Sequence, residues 1–418
     1  MAQTMAEKLL AAASGRESVK AGEIVMAKVD TCMVDDALGP VFIEKQMAKL
    51  GNVFADKSRV VCISDHLTPS GNVDQSEIVA TARRWAKKNG IRYFEGEGPC
   101  HQVLAEHGYD VPGTLLVGTD SHTVTAGAFG CFGTGIGSTE AVGVISTGEI
   151  WLRVPETIQV IWDETLPEGV MAKDLVLYTT KVIGHAGATY MALEFKGDAI
   201  RAMPMDERMC ISNMSVETGA KVGLIEPDAV TDAYLAAAGC QKTYRHLLPD
   251  PDAAYIQTLR FRASELRPQV ACPHAVDNVC DVEEAKDVPI HQAYLGSCTG
   301  GRLTDFAIAA KILEGRHIAS GTRFLASPGS KKIYLEAMER GYLKTIIEAG
   351  GTVLAPTCGA CVGLHSGIIA AGENCVSATN RNFRGRMGSY DSGLYLASPA
   401  TVAASALTGH LTDPREFL

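Results

Sequence analysis

The chain has 418 residues, 46% hydrophobic and 21% charged; this balance excludes wholesale disorder and fibrous repeats, and the length exceeds one peptide-binding module at roughly 150 residues per domain. Its 38 basic and 48 acidic residues leave a formal charge of −10, which repels a phosphate backbone and makes nucleic acid a poor main partner. The 42 glycines stand above the roughly 7% norm, and 12 scattered cysteines without secretory context point to metal ligation or buried thiols rather than disulfides.

Along the chain, Glu7 and Lys8 stand where a signal peptide needs an apolar run, and apolar stretches such as Gly113–Gly118 fall well short of the about 20 residues of a membrane span. We therefore expect a cytoplasmic protein. Met5–Ser14 reads as a helix closed by Gly15, and Asp74–Lys88 as an amphipathic helix closed by Asn89-Gly90. Strand-like runs fall at Arg59–Ile63, Thr114–Gly118, Gln292–Gly296, Thr352–Ala355 and Asn374–Ala378. Each leads at once into a chemically capable loop: Ser64-Asp65-His66, Thr119-Asp120-Ser121-His122-Thr123, Ser297-Cys298-Thr299, Thr357-Cys358-Gly359-Ala360-Cys361, and Asn380-Arg381-Asn382-Phe383. The alternation of such runs with helical stretches predicts an α/β fold. Because ligands in open α/β sheets bind beyond the strands' carboxyl ends, the five loops are expected to converge on one crevice. Composition shifts suggest three α/β domains: 1–155 with the Asp-His motifs, 156–285 with Glu217, and 286–418 with the cysteine motifs and arginines.

Cys358 and Cys361 form a C-x-x-C, and Cys298 lies among small residues that let backbone approach a bulky group. Three thiolates suit a [4Fe-4S] cluster with one open iron, but spacing alone leaves zinc and plain buried thiols open. Asp65-His66, His101, Asp120, His122 and Glu217 are enough for His–carboxylate pairs in acid–base work; the plainer reading of each is a structural hydrogen bond. Arg381 and Arg386 suit the carboxylates of a di-acid, whereas Arg384 reads as solvated. Gly133-Thr-Gly-Ile-Gly137 fits neither the Walker nor the full Rossmann fingerprint, so close packing is the better account of its glycines.

Taken together, Gly118-Thr-Asp-Ser-His-Thr123, Gly296-Ser-Cys-Thr299, Cys358-Gly-Ala-Cys361 and Asn380-Arg-Asn-Phe-Arg-Gly-Arg386 resemble the aconitase superfamily, in the right order and across most of the chain. The resemblance implies a core of three α/β domains around one [4Fe-4S] cluster per subunit, ligated by Cys298, Cys358 and Cys361. It further implies that Asp65-His66 protonates a leaving hydroxyl, that Asp120 pairs with His101 and Glu217 with His122, that Asn213 and Asn380 hydrogen-bond the cluster and its ligands, and that Arg381 and Arg386 grip carboxylates. Since the sequence stops at Leu418, soon after Arg386, we expect no swivelling domain, which in aconitase carries the catalytic base. The chain is then similar to the large subunits of two-subunit dehydratases, which pair with a separate small subunit.

The expected reaction is reversible dehydration of an alkylmalate-type hydroxy di-acid, 3-isopropylmalate first, with 2,3-dimethylmalate or a homoaconitase substrate as alternatives. Two departures bear on the substrate: Gly300 replaces the family's usual Asn, and Asp35 its His or Gln. A cluster-free RNA-binding form is the alternative of a different class, and the acidic balance argues against it.

Overall fold

A computed structural model describes residues 2–418. Their contacts divide the chain into two compact units. One comprises the chain up to Glu95, Val103–Asp163 and Ala188–Phe261; the other comprises Gly96–Gln102, Glu164–Gly187 and Arg262–Leu418.

The first unit contains a five-stranded, all-parallel sheet in the spatial order Arg92–Glu95, Val60–Ser64, Thr31–Asp35, Leu115–Gly118, Phe132–Gly135. In chain order these are its third, second, first, fourth and fifth strands, the doubly wound arrangement, whose direction of winding reverses between Thr31–Asp35 and Leu115–Gly118. Every residue of Thr31–Asp35, Val60–Ser64 and Leu115–Gly118 is buried. Parallel sheets covered on both faces select such continuous apolar runs in place of alternation. A four-stranded sheet follows in the order Val222–Ile225, Ala192–Lys196, Thr157–Asp163, Gln257–Arg262, its first three strands parallel.

The second unit is built on a seven-stranded sheet ordered Val279–Asp281, Gln269–Ala271, Gly393–Ala397, Asn374–Ser377, Gln292–Leu295, Arg323–Ala326, Thr352–Val353. Its last five strands are parallel. They repeat the same winding, with the reversal between Gln292–Leu295 and Asn374–Ser377.

The α/β class expected from the sequence is what the chain adopts, and all five expected strand runs are present within a residue or two at each end. The two expected helices occur as Met5–Ala13, with a Thr4–Glu7 capping box, and Val73–Asn89, capped by the Asn72 side chain and closed by Gly90 at φ +67°. Strands at Thr31–Asp35, Arg92–Glu95, Phe132–Gly135, Arg323–Ala326 and Gly393–Ala397 were not foreseen. Phe132–Gly135 runs through the glycine-rich stretch, and a Cβ on Gly133 would lie 2.4 Å from the Thr123 carbonyl oxygen. Close backbone approach therefore accounts for that glycine. The division at residues 155 and 285 is kept as a domain proposal, although a boundary at 285 leaves two strands of the seven-stranded sheet, Gln269–Ala271 and Val279–Asp281, in the middle region. No helix among the described residues is long and apolar enough to cross a membrane.

Candidate active site

At the first reversal, three strand ends deliver three acidic loops. Thr31–Asp35 runs into Asp36, Val60–Ser64 into Asp65-His66, and Leu115–Gly118 into Thr119 and Asp120. The His66 ring is buried, with Nδ1 2.8 Å from Asp65 Oδ1 and 3.6 Å from Asp36 Oδ1, and Nε2 3.5 Å from Asp120 Oδ2. The Asp36 carboxylate also accepts the backbone N–H groups of His66 and Leu67, each at 3.1 Å. It therefore fixes the loop as well as facing the ring.

Asp120 connects two imidazoles. Its Oδ1 accepts the His122 backbone N–H at 2.6 Å and lies 3.4 Å from His122 Nδ1. His122 Nε2 in turn meets Glu217 Oε1 at 2.8 Å, with both side chains buried. Glu217 sits on a 3-10 turn closed by Gly219 at φ +85°, directly after helix Met205–Met214. That helix carries Asn213, whose amide donates to Thr125 Oγ1 at 2.9 Å. Glu217, His122, Asp120, His66 and Asp65 thus form one continuous polar chain. A carboxylate on one ring nitrogen sets the tautomer and orientation of an imidazole and leaves the other nitrogen for proton exchange.

Asp35 stands beside this chain. Burial pushes its carboxyl above the ordinary range, the charge of His66 opposes this, and the charge of Asp120 adds to it. It accepts the Thr119 hydroxyl and, at 2.9 Å each, the N–H groups of Ala37 and Leu38. Donor atoms of Asp35, Asp36 and His66 lie within 4.8 Å of one another, a spacing at which one cation could meet all three. Asp36 was not singled out from the sequence; its position one residue past a buried strand is the signal that would have found it.

At the second reversal stand the cysteines. Gln292–Leu295 ends at Gly296, and Ser297, held at φ +76°, starts the short turn bearing Cys298. Asn374–Ser377 ends at Ala378, Thr379 and Asn380. The Asn380 amide donates to Cys298 Sγ at 3.6 Å, and its Oδ1 accepts the Cys361 thiol at 3.3 Å. One side chain therefore spans sulfurs from two distant parts of the chain. Cys358 opens the 3-10 turn Gly359–Val362 that holds Cys361, with the Cys361 N–H donating to the Cys358 carbonyl at 2.9 Å. A Cβ on Gly359 would lie 2.9 Å from the His365 ring, which explains the glycine inside this C-x-x-C.

Further groups hold the turns. Buried Arg302 donates to the carbonyls of Cys298 and Thr299 and to Gln102 Oε1. Buried Lys173 donates to the carbonyls of Thr379 at 2.5 Å and Ala378 at 3.3 Å. Arg386 Nε donates to the Cys361 carbonyl at 2.9 Å. Neither Arg302 nor Lys173 was expected, since nothing local distinguishes them from surface cations. Arg381 is half-buried and Arg384 exposed on the same loop, the latter as expected. His101, in the Gly96–Gln102 segment of the second unit, is buried in the first turn of helix Cys100–Glu106, with Nε2 3.5 Å from Cys100 Sγ.

The donor set fits an iron–sulfur group: two thiols share one amide, and the third lies on the same turn as one of them. Glycines 296, 300 and 359 keep side chains out of these turns. The remaining thiols differ in kind. Cys32, Cys131 and Cys375 are wholly buried, and burial pushes their thiols up to about 12; with no solvent access as well, they are inert core cysteines.

Residues 7–409 match the model of the aconitase family, described as aconitate hydratase. The chain belongs to the aconitase family. Among its relatives, 3-isopropylmalate dehydratase large subunit 1 of Methanopyrus kandleri is 46% identical over 421 residues, covering 100% of both chains. The proteins named 3-isopropylmalate dehydratase large subunit 1 in Thermotoga maritima and large subunit 2 in Archaeoglobus fulgidus are each 44% identical, again over 100% of both chains. Membership of the aconitase family implies an iron–sulfur cluster.

Proposed function

We propose that this protein is the cluster-bearing large subunit of a hydro-lyase that reversibly dehydrates 3-isopropylmalate, working in the cytoplasm with a separate small subunit. The observation that carries the reading is the Asn380 amide joining Cys298 and Cys361 at the second strand reversal. The substrate rests on the relatives' names; 2,3-dimethylmalate and the homoaconitase substrate are the alternatives within the same chemistry. A [4Fe-4S] cluster, one per subunit, held by Cys298, Cys358 and Cys361, supplies a Lewis-acidic iron for a substrate hydroxyl and carboxylate.

The chain's own groups do the rest. His66, oriented by Asp65 and Asp36, delivers a proton to the departing hydroxyl, which leaves as water. Asp120 stands at the ring's other nitrogen, with His122 and Glu217 behind it, and re-supplies or removes the proton; its pairing with His101 belongs to this proposal. Arg381 and the terminal nitrogens of Arg386 pair with substrate carboxylates, whose geometry matches the guanidinium fork. Asn380 and Asn213 place hydrogen-bond donors around substrate and cluster. The base that takes the carbon-bound proton comes from the small subunit.

The test is anaerobic dehydration of 3-isopropylmalate, 2,3-dimethylmalate and homologues by the purified chain with and without its small subunit. Turnover is expected only with both, and fastest on 3-isopropylmalate. Full activity of the chain alone would overturn the two-subunit reading, and no turnover of any alkylmalate would overturn the reaction.

A further inference from the structure

We infer that Cys272 and Cys280 form a modification site outside the cluster: a cross-strand dithiol that low-molecular-weight disulfides oxidise to an internal disulfide. Both are partly exposed free thiols, and their sulfurs lie 3.8 Å apart. Strand pairing puts them there. Gln269–Ala271 runs antiparallel to Val279–Asp281, with Val270 opposite Cys280. The Cys272 N–H donates to the Asn278 carbonyl at 2.8 Å, so the pairing continues one residue beyond the strand. By the two-residue side-chain period, Cys272 and Cys280 share a face as diagonal neighbours.

A disulfide needs about 2.05 Å between sulfurs, so closure asks for an approach of roughly 1.8 Å. Val279–Asp281 is the last strand of its sheet, paired on one side only, and an edge strand yields more readily than a central one. The charges of Glu284 and Lys181 act on the pair in opposite senses, and Tyr395 lies beside both thiols.

The exchange runs in a defined order. Burial raises the Cys272 thiol, while its hydrogen bond with Cys280 lowers it; Cys280 is pushed up to about 12 by burial and then by the Cys272 charge. Cys272, whose charged form the Cys280 hydrogen bond favours, opens the exchange. Its thiolate attacks one sulfur of the small disulfide, expelling one small thiolate, which takes up a proton. The Cys280 sulfur, losing its proton, then attacks Cys272 in the mixed disulfide and expels the second small thiol. Two protein thiols are oxidised by two electrons, and the small disulfide is reduced to two thiols.

The bond has a route to the cluster cysteines. The Asn382 amide donates to the carbonyls of Cys272 at 2.8 Å, Ala275 at 3.2 Å and Ala271 at 3.3 Å. Asn382 lies two residues beyond Asn380. Movement of the Cys272 backbone therefore bears directly on the segment that spans Cys298 and Cys361.

The experiment incubates the full-length protein, cluster loaded, with excess oxidised glutathione at pH 8. Free thiols are then blocked, and the digested chain is mapped by mass spectrometry. A Cys272–Cys280 cross-linked peptide is expected, with two fewer blockable thiols. Cys280→Ser should trap glutathione on Cys272, and Cys272→Ser should trap it on Cys280, neither variant forming the internal disulfide. Hydrogen exchange of residues 380–383 should change on oxidation. The site is overturned if Cys272 and Cys280 stay blockable while the partly exposed Cys240 reacts, or if glutathione persists on wild-type Cys272. Unchanged exchange at 380–383 overturns the coupling.

Discussion

Asn380 shows how much one amide can do at the residue scale: its two ends, donor and acceptor, meet two different cysteines. Groups that orient metal ligands commonly contribute roughly 10–100-fold to metal retention. Asn380→Ala is accordingly expected to lower cluster iron per chain by about that factor under a chelator challenge, as read by iron assay and visible absorbance. Asp110 gives a prediction of another kind. It is buried, its Oδ1 finds no hydrogen-bond donor among the described residues, and burial pushes its carboxyl up to about 7, with Lys242 opposing. Between the ordinary carboxyl range, near 4, and about 7 the folded chain binds the extra proton, so stability falls as pH rises through that window. Thermal midpoints measured from pH 5 to 8 should decline less steeply for Asp110→Asn than for the wild type.

At the scale of elements, the informative contacts join a turn to a strand end. A Cβ on Gly300 would lie 2.3 Å from Ala378 Cβ and 2.8 Å from the Ala378 carbonyl oxygen. Glycine at 300 is thereby matched to a residue 78 positions away, and no side chain fits at 300 without moving the strand end. Overpacking of this kind typically costs about 1–3 kcal/mol. We expect Gly300→Ala to lower the denaturant midpoint by that margin and Ala378→Gly to restore part of it, with the pair compared in a double-mutant cycle. Lack of any rescue would show that the strain lies elsewhere.

The whole molecule repeats one device: a doubly wound parallel sheet whose winding reverses at the strands that carry chemistry. At the first reversal it carries carboxylates and imidazoles, and at the second thiols and an amide. Because Arg302, Lys173 and Arg386 brace the cysteine turns through backbone carbonyls, the turns have protein contacts of their own. Removing the cluster with a chelator and mild oxidant is therefore expected to leave the far-ultraviolet circular dichroism of both sheets intact while lowering the thermal midpoint. Collapse of the helical signal on cluster loss would contradict this.

Much of this was legible in the sequence, for definite reasons. Buried parallel strands must be continuous apolar runs, and the loops at their carboxyl ends are short and chemically apt, so Asp65-His66, Asp120-His122, Cys298, Cys358-Cys361 and Asn380 all announced themselves. The strand at Phe132–Gly135 did not, because its glycines serve close backbone approach and carry no strand pattern. By itself, then, the sequence determined the α/β class and the strand-end loops with the residue types they carry, since these depend on local pattern. Only the tertiary structure decided that Asp36 faces His66, that Asp120 connects two imidazoles, and that Lys173 and Arg302 brace the cysteine turns. Asp36 and His66 lie 30 positions apart and Lys173 and Thr379 206, whereas Arg302 reaches carbonyls three and four positions away; the long-range meetings are set by the order in which crossovers lay the strands down, which no local segment encodes.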